Sequence, residues 1–154
     1  MKLSEALHQR ADLQKRIAQL AQRLNNNAKV QEGDTPAEDP AVLLAELTAD
    51  TDRLCGLIAA INKTNTATAV DGVTLTDMIA RKDALSLRVS ILRTFLEQAS
   101  QKVDRYSAKE IRVVSTVDVR SLQKEVDVLS KELRELDVQI QGLNWTVDLI
   151  ETRK

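Results

Sequence analysis

A chain of 154 residues with net charge −1, 43% apolar residues, only 2% aromatics and four glycines has the length of one domain and a composition that favours helices over sheets. Lys and Arg are neither in excess nor clustered, which argues against a nucleic-acid partner, because such binding rests on neutralising phosphates. The single cysteine excludes an intrachain disulfide, and no apolar run approaches the ~20 residues that a membrane-spanning helix needs.

The first residues pass straight into a charged amphipathic pattern instead of an apolar export signal, so the expected location is the cytoplasm. From Leu3 to Asn27 a seam of Leu3, Ala6, Arg10, Leu13, Ile17, Leu20 and Leu24 alternates steps of three and four residues, the spacing of a heptad helix. Asn25, Asn26 and Asn27 end it, because Asn competes with the helical backbone for hydrogen bonds. Residues 28–38 hold Gly33, Pro36 and no apolar period, which reads as a loop.

Asp39 before Pro40 is a helix start: the carboxylate caps free amides, and proline fits the first helical position. The second helix is expected to reach Asn65 along Leu44, Leu47, Thr51, Leu54, Ile58 and Ile61, with Leu43, Leu57 and Cys55 widening its apolar side. Asp71 and Gly72 break the pattern as a turn. Thr74 to Asp77 has the form of a capping box, opening a third helix from Leu75 to Tyr106 along Leu75, Met78, Lys82, Leu85, Val89, Leu92, Leu96, Ala99, Val103 and Tyr106. Ile91 and Phe95 broaden that helix's apolar face beyond a two-stranded seam.

Lys109 to Val117 is rich in β-branched residues and too short for a sheet, so it is expected to be an extended connector, suited to pairing with a second copy. A second capping pattern, Ser115 to Asp118, opens a fourth helix that runs to Thr152 along Val119, Leu122, Val126, Leu129, Leu133, Leu136, Ile140, Leu143, Val147 and Ile150. The expected fold is therefore all-α: one domain over residues 1–154, an elongated helical bundle of four long heptad-patterned helices with a short extended segment before the last. Arg10, Thr51 and Lys82 interrupt the seams, a device that can fix register, although their stems can also snorkel toward water.

Little in the sequence points to catalysis. His8 is the only histidine and Cys55 the only thiol, and no motif brings them together, so Cys55 is expected to be a small buried hydrophobe. Glu32, Asp34, Glu38 and Asp39 cluster without the spacing of a calcium loop, and no Glu-x-x-His pair or Gly-rich phosphate cradle occurs. No catalytic residue, metal or cofactor is expected. Tyr106 beside Arg105 is expected to close the third helix. The sole tryptophan, Trp145, is a candidate anchor for a partner, since Trp is enriched at interface hot spots.

Five strings carry a resemblance: Ala11 to Gln14, Asn27 to Gly33, Asp104 to Ser107, Ser115 to Val119, and Asn144 to Thr146. On these the chain resembles a family of uncharacterised bacterial proteins that goes under the name septicolysin. The resemblance implies no catalytic motif; the name implies a membrane-acting cytolysin. The residues themselves favour a self-associating interaction or scaffolding protein. The fourth helix should outrun the first two, leaving Leu143, Trp145 and Val147 as a partner-binding overhang for a second copy or for another protein.

Overall fold

The computed structural model describes residues 1–101 and 111–151. The protein is all-α, with helices α1 (Leu3–Asn26), α2 (Pro40–Ala67), α3 (Leu75–Ser100) and α4 (Val119–Thr146), plus a small hairpin of β1 (Ala69–Val70) and β2 (Val73–Thr74). Helix α3 ends at Ser100, with Gln101 beyond it, short of the expected Tyr106; residues 102–106 of that expected run and the Asp104–Ser107 cluster lie outside the described residues. The chain divides into two compact units: residues 1–75 with 143–154, and residues 76–142.

In the first unit α1 and α2 pack closely and antiparallel. Leu3, Ala6, Leu13 and Leu20 are buried and Arg10, Ile17 and Leu24 half-buried, which is the α1 seam read from the sequence. Asn27 ends α1 as expected. Its Nδ2 donates to the Arg23 carbonyl (2.9 Å), while its Oδ1 accepts from the Glu38 amide (3.0 Å), so one buried side chain closes the helix and anchors the far end of the loop. Asp39 Oδ1 accepts from the Ala41 amide at 2.9 Å, with Pro40 at the first helical position.

The α2 seam differs from expectation in its N-terminal half. Leu43 and Asp50 are buried, while Leu44 is 54% exposed and Thr51 faces solvent, its hydroxyl donating back to the Leu47 carbonyl (2.8 Å). The cause is charge: Arg16 Nε lies 2.8 Å from Asp50 Oδ2, which draws an acidic residue into the α1 interface. One heptad on, Arg23 clamps Glu38 (2.5 and 3.1 Å) and reaches Glu46 (3.8 Å). With Ile61 and Asp50 marking the buried side, Cys55 lies about 120° around the helix from Ile61. It is therefore exposed rather than buried.

The turn expected at Asp71 and Gly72 is a two-residue hairpin. Both residues have positive φ (51° and 82°), as this tight turn demands, and Val70 pairs with Val73. The Leu75 amide donates to the Thr68 carbonyl at 2.8 Å, which closes the hairpin where α3 begins.

In the second unit α3 buries Met78, Leu85, Val89 and Leu96, again the expected seam. Residues 111–117 form neither helix nor strand and bend at Thr116 and Val117. Asp118 caps α4: Oδ1 accepts from the amides of Arg120 (3.1 Å) and Ser121 (3.2 Å), and Oδ2 from the Ser121 hydroxyl (3.0 Å). These donors, the Ser121 amide first, hold the Asp118 carboxyl below its ordinary range. In α4 only Val126 and Ile140 of the apolar seam are buried; Leu122, Leu129, Leu133 and Leu136 are half-buried.

Candidate interaction surface

The expected partner-binding residues Leu143, Trp145 and Val147 do not share one helix face. Helix α4 ends at Thr146 instead of running to Thr152, and the chain continues as an extended strap along the amino-terminal residues. The Leu3 amide donates to the Val147 carbonyl and the Leu149 amide to the Met1 carbonyl, each at 2.9 Å. Lys2 Nζ donates to the Thr146 carbonyl (3.0 Å), capping the helix, and pairs with Asp148 (2.9 Å). That ammonium holds the Asp148 carboxyl below its usual range. The Ile150 amide donates to Thr64 Oγ1 (2.9 Å), a buried hydroxyl that itself donates to the Ala60 carbonyl (2.8 Å). These backbone partners compete with the helix and end it. Leu143 and Val147 are half-buried as a result, whereas Trp145 remains 64% exposed.

A larger apolar surface lies on α3. Its seam is buried, yet Leu87 (64% exposed), Ile91 (59%) and Phe95 (44%) form a second stripe at four-residue steps on the outside. Ala80, Ala84, Thr94 and Gln98 complete an exposed arc about 100° wide at 3.6 residues per turn. No charged side chain falls within it over roughly 27 Å of helix. Arg88 and Asp83 border the arc but lie outside it. At its C-terminal end Phe95, Gln98 and Ala99 face Val113 and Val114 across a cleft of about 290 Å³. Val113 and Val114 therefore prolong the apolar surface.

On the inner side of the same unit α3 and α4 are bridged by long charged side chains. Arg88 pairs with Glu125 (3.0 Å), Arg81 with Glu132, and Lys82 with Asp137 (2.5 Å). Lys82 is the polar interruption read in the α3 seam, and its ammonium is the main cause that holds the Asp137 carboxyl below its ordinary range. An apolar seam crossed by a specific ion pair is a means of fixing register. The other two expected interruptions behave differently: Arg10 is half-buried and Thr51 lies off the seam.

His8 is an exposed helix residue, and its Nδ1 donates to the Ser4 carbonyl at 2.8 Å, which assigns the proton to Nδ1 because a carbonyl only accepts. Among the described residues no group of three or more His, Cys, Asp or Glu could hold a metal ion, and no helix is long and apolar enough to cross a membrane. In the sequence Ile91 and Phe95 broaden the α3 apolar face, and the absence of charge across the whole arc is the signal that marks its exposed side.

Comparison with curated proteins finds no match. The fold is similar to the crystal structure of a functionally unknown conserved protein from Corynebacterium diphtheriae, with a TM-score of 0.90 and 44% identity, covering 97% of this chain and 99% of that one. Residues 10–149 match the model of a family of unknown function, DUF6847, and over that span, which takes in all of α2, α3 and α4, the chain belongs to this family.

Proposed function

We propose that this protein is a self-associating helical interaction module that works by binding rather than catalysis, with a second copy covering the outer face of α3. The observation that carries the reading is the uncharged arc around Leu87, Ile91 and Phe95. Fully burying an exposed side chain of this kind is worth about 1.5–3 kcal/mol, and a contiguous exposed patch on a soluble surface usually marks an interface. A closed two-fold dimer covers such a patch on both copies at once. Val113 and Val114 extend the contact, in keeping with the pairing expected of the segment before α4. Trp145 offers a separate contact for another partner, without the help of Leu143 and Val147.

Light scattering across a concentration series tests the reading. The wild type should gain mass with concentration; Ile91→Asp should stay monomeric, while Leu44→Asp, on the exposed side of α2, should associate like the wild type. A wild type that is monomeric throughout, or an Ile91→Asp variant that still associates, overturns it.

A further inference from the structure

The four basic residues of α3 that precede its end are not treated alike. Arg81, Lys82 and Arg88 each meet a carboxylate of α4, whereas Arg93 donates from Nη2 to the hydroxyl of Ser130 at 2.9 Å. Ser130 is buried, at 6% exposure, so this hydrogen bond steadies the guanidinium while most of its five donors stay free. Beside it opens a cleft of about 510 Å³ between α3 and α4, within the usual size range of small-molecule sites.

Buried Leu96 and Val126 contribute apolar lining to this cleft. Arg134, one turn along α4 from Ser130, lines the Arg93 end. One turn the other way, Glu97 and Asp127 contribute a carboxylate from each helix, about 6 Å along the axis from Arg93. None of the ion pairs among the described residues involves Arg93, Glu97, Asp127 or Arg134. Asp127 accepts only from Gln123 Nε2, at 2.9 Å. Two cations at one end and two anions one turn away, with Leu96 and Val126 beside the anions, describe a ligand with the reverse order of charge.

We propose that this cleft binds a small zwitterion, its carboxylate on the guanidinium groups of Arg93 and Arg134 and its ammonium between Glu97 and Asp127. Arginine suits the first task because its planar fork matches a carboxylate in two parallel hydrogen bonds. The apolar lining suits a short methylene chain between the two charges. Net charge alone does not attract such a ligand, since the opposed groups of the cleft cancel; recognition rests on their separation.

The probe is 5-aminopentanoate, whose extended chain matches the spacing of about 6 Å, compared with pentanoate and pentylammonium, each of which keeps one charge. Amide chemical shifts of the full chain should move saturably at Leu96, Val126 and Ser130, with a Kd of about 1 mM or tighter. Each singly charged probe should bind at least about tenfold more weakly, the loss expected when a charged hydrogen bond is removed. Arg93→Gln and Glu97→Gln should each weaken the zwitterion by a similar factor while leaving the far-UV circular dichroism unchanged. The absence of saturable shifts with the wild type, or equal binding of pentanoate and 5-aminopentanoate, overturns the proposal whatever the variants do. Wild-type affinity in either well-folded variant overturns it too.

Discussion

The helix pair α1–α2 and the helix pair α3–α4 draw on similar lengths of chain and use their apolar residues in opposite ways. In the first, the apolar residues of α1 gather on one side, its axis comes close to that of α2, and the main intruder is a buried aspartate matched by Arg16. In the second, α3 divides its apolar residues between a buried seam and an exposed arc, and charged side chains do much of the bridging to α4. A helix with apolar residues on both sides cannot satisfy them with one neighbour. The contrast teaches that α1 commits its apolar side to its own fold, while α3 leaves a second apolar side exposed.

The largest expected effect comes from breaking the closed pair. Leu20 and Ile61 are each 1% exposed, so Leu20→Ala or Ile61→Ala should lower stability by about 2–5 kcal/mol, read from denaturant melts. Leu133→Ala and Leu136→Ala, which the unbroken α4 seam would place in the same class, should cost roughly 1–2 kcal/mol, because both side chains are half-buried. Equal losses in the two pairs would erase the contrast.

Asp50→Leu sharpens it further. The buried carboxylate carries a desolvation cost, whereas Arg16 is largely exposed and is not stranded by its loss. The substitution should therefore change stability by no more than about 1 kcal/mol, or raise it. A much larger fall would show that the ion pair is a main support of the α1–α2 contact.

Acid should act on both pairs by the same mechanism. Glu38, Asp137, Asp148 and Asp118 all have carboxyls held below their ordinary values of 4.5 for Glu and 3.8 for Asp, by Arg23, Lys82, Lys2 and the Ser121 donors respectively. A lowered folded-state value means that the folded form binds the proton less readily than the unfolded chain. The stability these groups contribute is thus fully present at neutral pH, begins to fall as pH drops through about 4, and is lost below their folded values. Thermal melts between pH 7 and pH 3 should fall in that window. A flat profile would remove these pairs from the account. The smallest effect belongs to Lys2→Ala, which should lower the melting temperature only slightly, since the Asp148 pair is exposed.

The sequence made the helical elements legible because apolar spacing and caps act locally. The α1 seam, the Asp39–Pro40 start and the Asp118 cap lie where those local rules put them. Three departures from those local rules share a cause, which is pairing between residues far apart in the chain. Asp50 turned α2 because Arg16 was waiting for it; Cys55 followed to the outside; and Val147 left α4 because the amide of Leu3 offered its carbonyl a partner. The zwitterion cleft was equally hidden, since Arg93 and Ser130 are separated by 37 residues. Only the fold shows that, of the four basic residues of α3, Arg93 alone meets no carboxylate among the described residues.

The strap formed by Val147 and Leu149 also sets an order of events during synthesis. Leu3 is made 144 positions before Val147, the residue whose carbonyl its amide requires. At about 5–20 residues per second that interval is on the order of ten seconds. The contacts between α1 and α2 join residues much nearer in sequence and are available well before it ends. The first turn of α1 must therefore wait with an open edge while the rest of its helix is already paired, and closure of the amino-terminal end becomes the step that registers completion of α4.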